Sequence, residues 1–388
     1  MTDHAPARWR RLALLAVAVV GGMSTWFAGS AAAPLLAADL ALTPGEVGWL
    51  ASAVQLGFVA GTLLLAITNL ADLLPGRRLF ALSAIGAALS NAALLQAHGV
   101  GALAVSRLAT GLFLAGVYPP AMKMAATWFR SARGIAIGTV VGALTVGKAV
   151  PYLLEGGSGL SLATIVIIPS IASCLAAFAI FVWWQDGPHA FPSRPFAWGL
   201  VAEAFRVPGL RRVTAGYLGH MWELYAFWAW VPGFLAAASL ARGEAPRSQG
   251  AMAFGVLAVG AIGCIGGGWL ADRVGRRAVA RGAMLISGSL AALSPLLFAA
   301  PRWLLIAGLL LWGMAVIADS AQFSALATEL APPHAVGTAL ALQTSLGFLL
   351  TIVSIQLVPI VVDAIGWQWG LAGLAVGPLV GAWVLRRE

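Results

Sequence analysis

Six side chains that carry or can carry charge stand inside long apolar runs of this 388-residue sequence: Arg107, Lys123, Lys148, His220, Glu223 and Asp319. A charge in hydrocarbon costs about 2.5–3.5 kcal/mol or more, so it persists where it is paired or faces a polar cavity. Arg107 and Lys148 are cations at comparable depth with no acidic partner nearby in sequence, and an anion shared between them would relieve their repulsion. At 1.5 Å per residue Lys148 lies about 20 Å along its run, too deep for its ammonium to reach water by stretching. Glu223 lies about 15 Å along its own run, near the middle of a bilayer. A carboxylate removed from water can take up a proton at neutral pH, so Glu223 or Asp319, with His220, could couple solute movement to a proton gradient.

The run around Glu223 reads His220-Met221-Trp222-Glu223-Leu224-Tyr225-Ala226-Phe227-Trp228. Three-and-four spacing puts His220, Glu223 and Phe227 on one helical face and Trp222, Tyr225 and Ala229 on another. Such a wall offers a titratable pair and, from Trp222 and Tyr225, rings for a substrate, although packing and interfacial placement account for most tryptophans. Alternatives stay open for the other cations. Arg107 could be structural or part of a proton relay. Lys123 could extend to the membrane surface, or close one end of a cavity by pairing with Asp319, which falls beside Met122 and Lys123 when Gly116 is aligned with Gly313. Met122 and Met124 stand two apart without a His or Met at four-residue spacing, which leaves copper an outside possibility. Cys174 and Cys264 lie far apart in apolar stretches and read as small packing residues, with no metal site expected.

The elements that position these groups follow from composition. Hydrophobic residues make up 60% of the chain and charged residues 10%, whereas an average soluble domain is about a quarter charged. The solvent of this chain is therefore lipid. Runs of about 20 apolar residues, enough to cross a hydrocarbon core of about 30 Å, occur at 12–36, 47–68, 79–97, 101–125, 134–155, 160–184, 213–238, 249–270, 280–299, 303–326, 337–361 and 368–385, numbered here as spans 1 to 12. They lack the alternation of a barrel, so helices are expected, giving an all-α polytopic membrane protein. Seventeen arginines fall on the side of the N-terminus, and three, Arg242, Arg247 and Arg302, on the other. That bias places both termini in the cytoplasm and accounts for the net charge of +9 without a nucleic-acid partner. Arg8, Arg10 and Arg11 before an apolar run ending in Ala31-Ala32-Ala33 imitate a secretory leader; the segment reads as an uncleaved first span.

The two halves of the chain repeat each other about 200 residues apart. Arg10-Arg11 corresponds to Arg211-Arg212, Asp72 to Asp272, Gly76-Arg77-Arg78 to Gly275-Arg276-Arg277, and Gly111 and Gly116 to Gly308 and Gly313. Two six-span halves, 1–184 and 213–388, are expected, joined by a cytoplasmic linker at 185–212. Trp198, Leu200, Val201 and Phe205 of that linker fit a short amphipathic helix.

Gly268-Trp269-Leu270-Ala271-Asp272-Arg273-Val274-Gly275-Arg276-Arg277 resembles the signature loop of the major facilitator superfamily (MFS), in the position between spans 8 and 9. The first-half copy, Leu70-Ala71-Asp72-Leu73-Leu74-Pro75-Gly76-Arg77-Arg78, is similar but has Thr68 for the leading glycine, Leu73 for the basic residue and one extra residue before Gly76. Arg107-Leu108-Ala109-Thr110-Gly111 resembles the superfamily's motif in span 4. Tyr118-Pro119-Pro120 through Trp128-Phe129, followed by Arg133-Gly134, is similar to its anion-handling branches and adds Tyr118 to the substrate candidates. The resemblance implies the MFS fold of twelve helices in two pseudo-symmetric halves, working by alternating access. It also implies a gate in which Asp72 faces the start of span 11 near Gly337 and Asp272 the start of span 5 near Gly134, each acid against a positive helix end, with Arg77, Arg78, Arg273, Arg276 and Arg277 pairing locally.

A Gly-Lys-Ser or Gly-Lys-Thr phosphate loop is missing, so no ATP, no other cofactor and no enzyme activity are expected. The reading that unites these features is proton-coupled uptake of a small organic or inorganic anion by a monomer in a bacterial-type inner membrane. Proton-driven efflux of drugs or metabolites is the alternative, weakened because span 5 lacks the glycine-proline motif of efflux branches and carries Gly147-Lys148 before Pro151. A sensor that kept the fold without transport is a further one.

Overall fold

The computed structural model describes residues 5–129, 132–155, 161–189, 197, 199–244, 249–332 and 334–386, and within them the regular structure is helical. The helices follow one another in the order and at the positions of the twelve expected spans. Nine stretches among the described residues, from Pro44–Ile67 to Val336–Ile365, are long and apolar enough to cross a bilayer. The remaining three, 5–40, 276–299 and 367–384, are each assembled from shorter helices.

Local chemistry sets the boundaries. Span 2 starts at Pro44 behind a capping box: the Thr43 hydroxyl accepts from the Glu46 amide at 3.3 Å, and the Glu46 carboxylate accepts from the Thr43 amide at 2.8 Å. Both satisfy donors that a helix start leaves free. Span 6 starts at Leu162 behind Ser161, whose hydroxyl accepts from the Thr164 amide. The linker forms the helix Gly199–Arg206, which packs on spans 7 and 11. Trp198 and the Phe205 side chain lie outside the described residues.

Three spans are broken where function is expected. Span 1 runs Ala5–Met23, opens at Ser24 to Phe27 and resumes at Ala28. There the Ser24 hydroxyl donates to the carbonyls of Gly21 and Pro169, competing with the backbone ladder. Span 4 breaks between Val100–Leu114 and Tyr118–Ala126, where Pro119 and Pro120 enter the first turn of the second piece and supply no amide hydrogen. Span 10 breaks at Asp319, between Arg302–Ala318 and Ser320–Leu330.

The breaks correct one alignment made from sequence. Gly111 is the point where span 4 touches span 2, since a β-carbon there would stand 2.0 Å from the Val54 carbonyl oxygen. Gly313 plays that part in span 10, where a β-carbon would stand 1.9 Å from the Val256 carbonyl oxygen of span 8. Gly313 thus corresponds to Gly111 rather than Gly116, which meets Ser83 of span 3. In this register Asp319 matches Val117 at the span 4 break and stands about 9 Å along the helix axis from the level of Lys123.

The signature loops also differ. The second piece of span 8, Gly260–Val274, carries Asp272 without interruption and turns at Gly275, whose φ of +91° is open to glycine without strain. Span 2 ends at Ile67, Asn69 takes a φ of +53°, and Asp72 belongs to a separate short helix, Leu70–Leu73. The Asp72 side chain, and with it the expected contact near Gly337, lies outside the described residues.

Spans 1, 5 and 6 pack together, as do 3 with 4 and 6, and 2 with 4. Among the later spans, 7 packs on 11 and 12, 8 on 10, and 9 on 10 and 12. The two sets meet along span 5 against span 8 and span 2 against span 11. At the middle of this contact the side chains of spans 1, 5 and 7 interdigitate.

Candidate functional site

Lys148 lies at that meeting point and is fully buried. Its ammonium donates to the Tyr225 hydroxyl of span 7. It also sits 3.6 Å from the ring centroid of Trp26, 4.3 Å from that of Tyr225 and 5.5 Å from that of Trp228. Tyr152, one turn beyond Lys148, donates to the Trp228 carbonyl at 3.2 Å. No ion pair among the described residues involves Lys148. An ammonium out of water costs several kcal/mol, and a desolvated cation–π contact returns about 2 kcal/mol, so the rings offset only part of that cost.

Arg107 is buried too, in different surroundings. Its guanidinium donates to the Thr25 carbonyl at 3.2 Å, to Asn91 Oδ1 at 2.7 Å and to Thr110 Oγ1 at 3.0 Å. The break in span 1 frees the Thr25 carbonyl from the helical ladder for this use. Asn91 is anchored from behind, its amide donating to Ser170 Oγ and the Val166 carbonyl of span 6. Arg107 therefore ties spans 1, 3 and 4 with neutral acceptors. Thr25 bonds Arg107 and the adjacent Trp26 covers Lys148, so the same break serves both cations in separate nests.

The acidic groups gather in the later spans. Glu223 accepts from Ser287 Oγ of span 9 and from Trp312 Nε1 of span 10, both at 2.7 Å. Phe227, one turn on, stacks on Trp312 at 4.2 Å. His220 Nδ1 lies 2.8 Å from Asp319 Oδ1, with both side chains buried. His220, Glu223 and Phe227 do share one face, as their spacing predicts, and that face is turned to spans 9 and 10. Asp319 pairs with His220, and the bridge to Lys123, one of the two readings open for that lysine, is not among the ion pairs of the described residues.

The other candidates divide. Trp222 and Tyr225 part ways: Tyr225 meets Lys148, whereas Trp222 donates to the Gly373 carbonyl of span 12 at 3.3 Å, away from the rings. Tyr118 is half-buried against the core at the span 4 break. Asp272 reaches the first turn of span 5, where a β-carbon on Gly134 would stand 3.0 Å from its Oδ2, the placement that the resemblance implies. Arg273 lies over the Trp269 ring at 3.4 Å, and Arg276 pairs with Glu329 at 2.8 Å. Arg77 and Arg78 are exposed and Arg277 is half-buried. At the opposite end of the contact, Gln356 of span 11 donates to Ser52 Oγ of span 2 at 3.1 Å. Sequence reasoning missed Trp26, Asn91, Tyr152, Ser287 and Trp312; the run Gly21-Gly22 followed by Ser24-Thr25 was a signal for the break that presents Trp26.

The family model described as Major Facilitator Superfamily matches residues 14–354. A puromycin resistance protein, pur8, from Streptomyces alboniger is 32% identical over 154 residues, 39% of this chain and 30% of its own length, so the match spans under a third of that relative. Among solved structures, a bacterial homologue of the human lysosomal transporter Spinster, in an inward-facing unoccupied conformation, has a TM-score of 0.71 at 15% identity, covering 98% of this chain and 96% of its own. The nucleoside transporter NupG has a TM-score of 0.71 at 16% identity over 97% of this chain and 98% of its own. The human organic anion transporter TETRAN has 0.69 at 15% over 98% and 100%. These likenesses establish the fold, and the family match across most of the sequence establishes the rest: the chain belongs to the major facilitator superfamily and is an integral membrane transporter protein.

Proposed function

We propose that this protein is a secondary transporter that carries a small anion by alternating access, with Lys148 as the principal substrate group and a proton as the coupling ion. The observation that carries the reading is a fully buried lysine, without a carboxylate partner among the described residues, at the contact between two sets of six spans. Part of its desolvation cost is not offset by the rings, and an anion supplies what is missing. In this reading residues 1–184 and 213–388 rock about the site, with the linker 185–212 between them. Asp272 against the start of span 5 fastens the end where the termini lie, and Ser52 with Gln356 the other. Arg107 is a positioning residue, since both of its terminal nitrogens are bound to neutral oxygens.

The coupling proton belongs to the later spans, where Glu223 accepts from two neutral donors and Asp319 meets His220. A proton on either carboxylate changes those bonds without touching the substrate group. The arginine bias supports cytoplasmic termini, in a bacterial-type inner membrane. The test is uptake into right-side-out vesicles with an imposed proton gradient, against carboxylates, inorganic anions and cationic dyes. Anion uptake that depends on the gradient and is lost in Lys148→Ala is the expected result; wild-type uptake in that variant removes the site. Drug efflux remains a second reading, favoured by the resistance protein named above and the rings around Lys148. Gradient-driven expulsion of dyes with no anion uptake would select it.

A further inference from the structure

Two tryptophans whose rings lie against Lys148 carry hydrogen-bond donors without partners. The indole N–H groups of Trp26 and Trp228 are buried and have no acceptor among the described residues. Gln55, one turn from Phe58 along span 2, is fully buried with both amide atoms unpartnered. Buried polar groups are satisfied in the great majority of cases, and an orphaned one is costly. Lysine and indole are donors only, so the group that completes this set is an acceptor. Lys148 is the positive charge that the rings of Trp26, Tyr225 and Trp228 hold, whereas the terminal nitrogens of Arg107 are engaged with Thr25, Asn91 and Thr110 and only its Nε lacks a partner. A doubly charged ligand would leave a negative charge buried and unpaired.

The rings define the rest of the ligand. Trp26, Phe58, Phe348 and Tyr225 stand with centroids 4.5–5.9 Å apart and planes tilted by 32–55°. They come from spans 1, 2, 11 and 7, so both sets of spans contribute. Tilted rings at such spacing accept another flat apolar body edge-on or offset. Resting on the reading of Lys148 as an anion site, we propose that the transporter selects monocarboxylates with a flat apolar body, the carboxylate held by Lys148 and the indole N–H groups of Trp26 and Trp228. Gln55 is placed to bond a further polar substituent.

Benzoate is the probe. Radiolabelled benzoate binding to the full-length protein in liposomes is competed with acetate, benzamide, phosphate and succinate. Benzoate is expected to bind at least about tenfold more tightly than acetate, since the ring adds buried apolar area, and benzamide, phosphate and succinate to compete less well than benzoate. Trp26→Leu, which removes the ring face, brings the benzoate-to-acetate ratio toward one. Trp26→Phe, which keeps a ring and removes the N–H, weakens both acids and keeps the ratio, and it carries the test if thermal melting finds Trp26→Leu unfolded. Benzoate no tighter than acetate, better competition by phosphate or succinate, or unchanged binding in Trp26→Phe overturns the proposal. Lys148→Gln separates the levels: benzoate binding equal to wild type removes the anion site altogether. Loss in that variant of binding that favours phosphate or succinate removes only the monocarboxylate assignment.

Discussion

The first six spans bury cations and the later spans bury acids, and the two groups do not meet. Lys148 and Arg107 have neutral or aromatic neighbours, while Glu223 accepts from Ser287 and Trp312 and Asp319 lies 2.8 Å from His220. A single buried salt bridge between the sets would satisfy both at once and lock them together. In the proposed reading, keeping them apart leaves each free to change state, one by taking up an anion and the other by taking up a proton, at sites joined through span 7. That span carries Tyr225 to the cation and His220 and Glu223 to the acids, so a shift of one helix is felt at both places. The cations differ between themselves as well: both terminal nitrogens of Arg107 bond neutral oxygens and only its Nε lacks a partner, whereas Lys148 bonds the Tyr225 hydroxyl and otherwise faces rings.

The largest expected effect breaks this comparison at Lys148. Lys148→Ala removes charge-assisted bonding worth about 1.5–3 kcal/mol, and anion uptake in vesicles should fall roughly ten- to hundredfold while the melting temperature holds. Arg107→Ala should behave in the opposite way. Asn91 Oδ1 and the Thr25 carbonyl lose their donor, at about 1–3 kcal/mol for each buried group, and thermal melting in detergent should register the loss even where residual transport is measurable. Equal melting temperatures for the two variants would erase the distinction between a substrate group and a structural one.

Smaller effects sharpen the acidic side. In Glu223→Gln the amide can accept from Trp312 and donate to Ser287, so folding should survive. Accumulation under an inward proton gradient of about one pH unit should drop from about tenfold, the limit for one proton, to none, while anion exchange at equal pH continues. Retained accumulation moves the proton to Asp319, which Asp319→Asn tests by the same assay. Asp272→Asn weakens a charge at a helix start worth about 0.3–1 kcal/mol, and should slow uptake two- to fivefold without loss of folded protein. Trp222→Phe, remote from Lys148 and losing one hydrogen bond of about 0.5–1.5 kcal/mol, should leave uptake within about twofold of wild type; a larger drop would return Trp222 to the substrate site.

Much of this was legible in one dimension. Hydropathy places the spans because each must cross the same thickness of hydrocarbon, and buried charge marks Lys148, Glu223 and Asp319 because lipid penalises it wherever the helix lies. The Asp272 contact with the start of span 5 came from the resemblance of its loop to the superfamily signature rather than from the residues alone. Which charges meet was not legible. Depth follows from a fixed rise per residue, yet a single helix break or a one-turn error in register moves a side chain past its partner, as the Gly111 and Gly313 correspondence did for Asp319 and Lys123. Direction around the helix axis depends on how twelve spans cross. It sent Tyr225 to Lys148 and Trp222 to span 12, and brought Trp26, Asn91, Ser287 and Trp312 to the charges from spans whose sequence gave no account of their neighbours. Sequence determined which residues had to find partners, because solvation is a property of each residue alone. Tertiary structure decided who those partners are, because contact is a property of pairs.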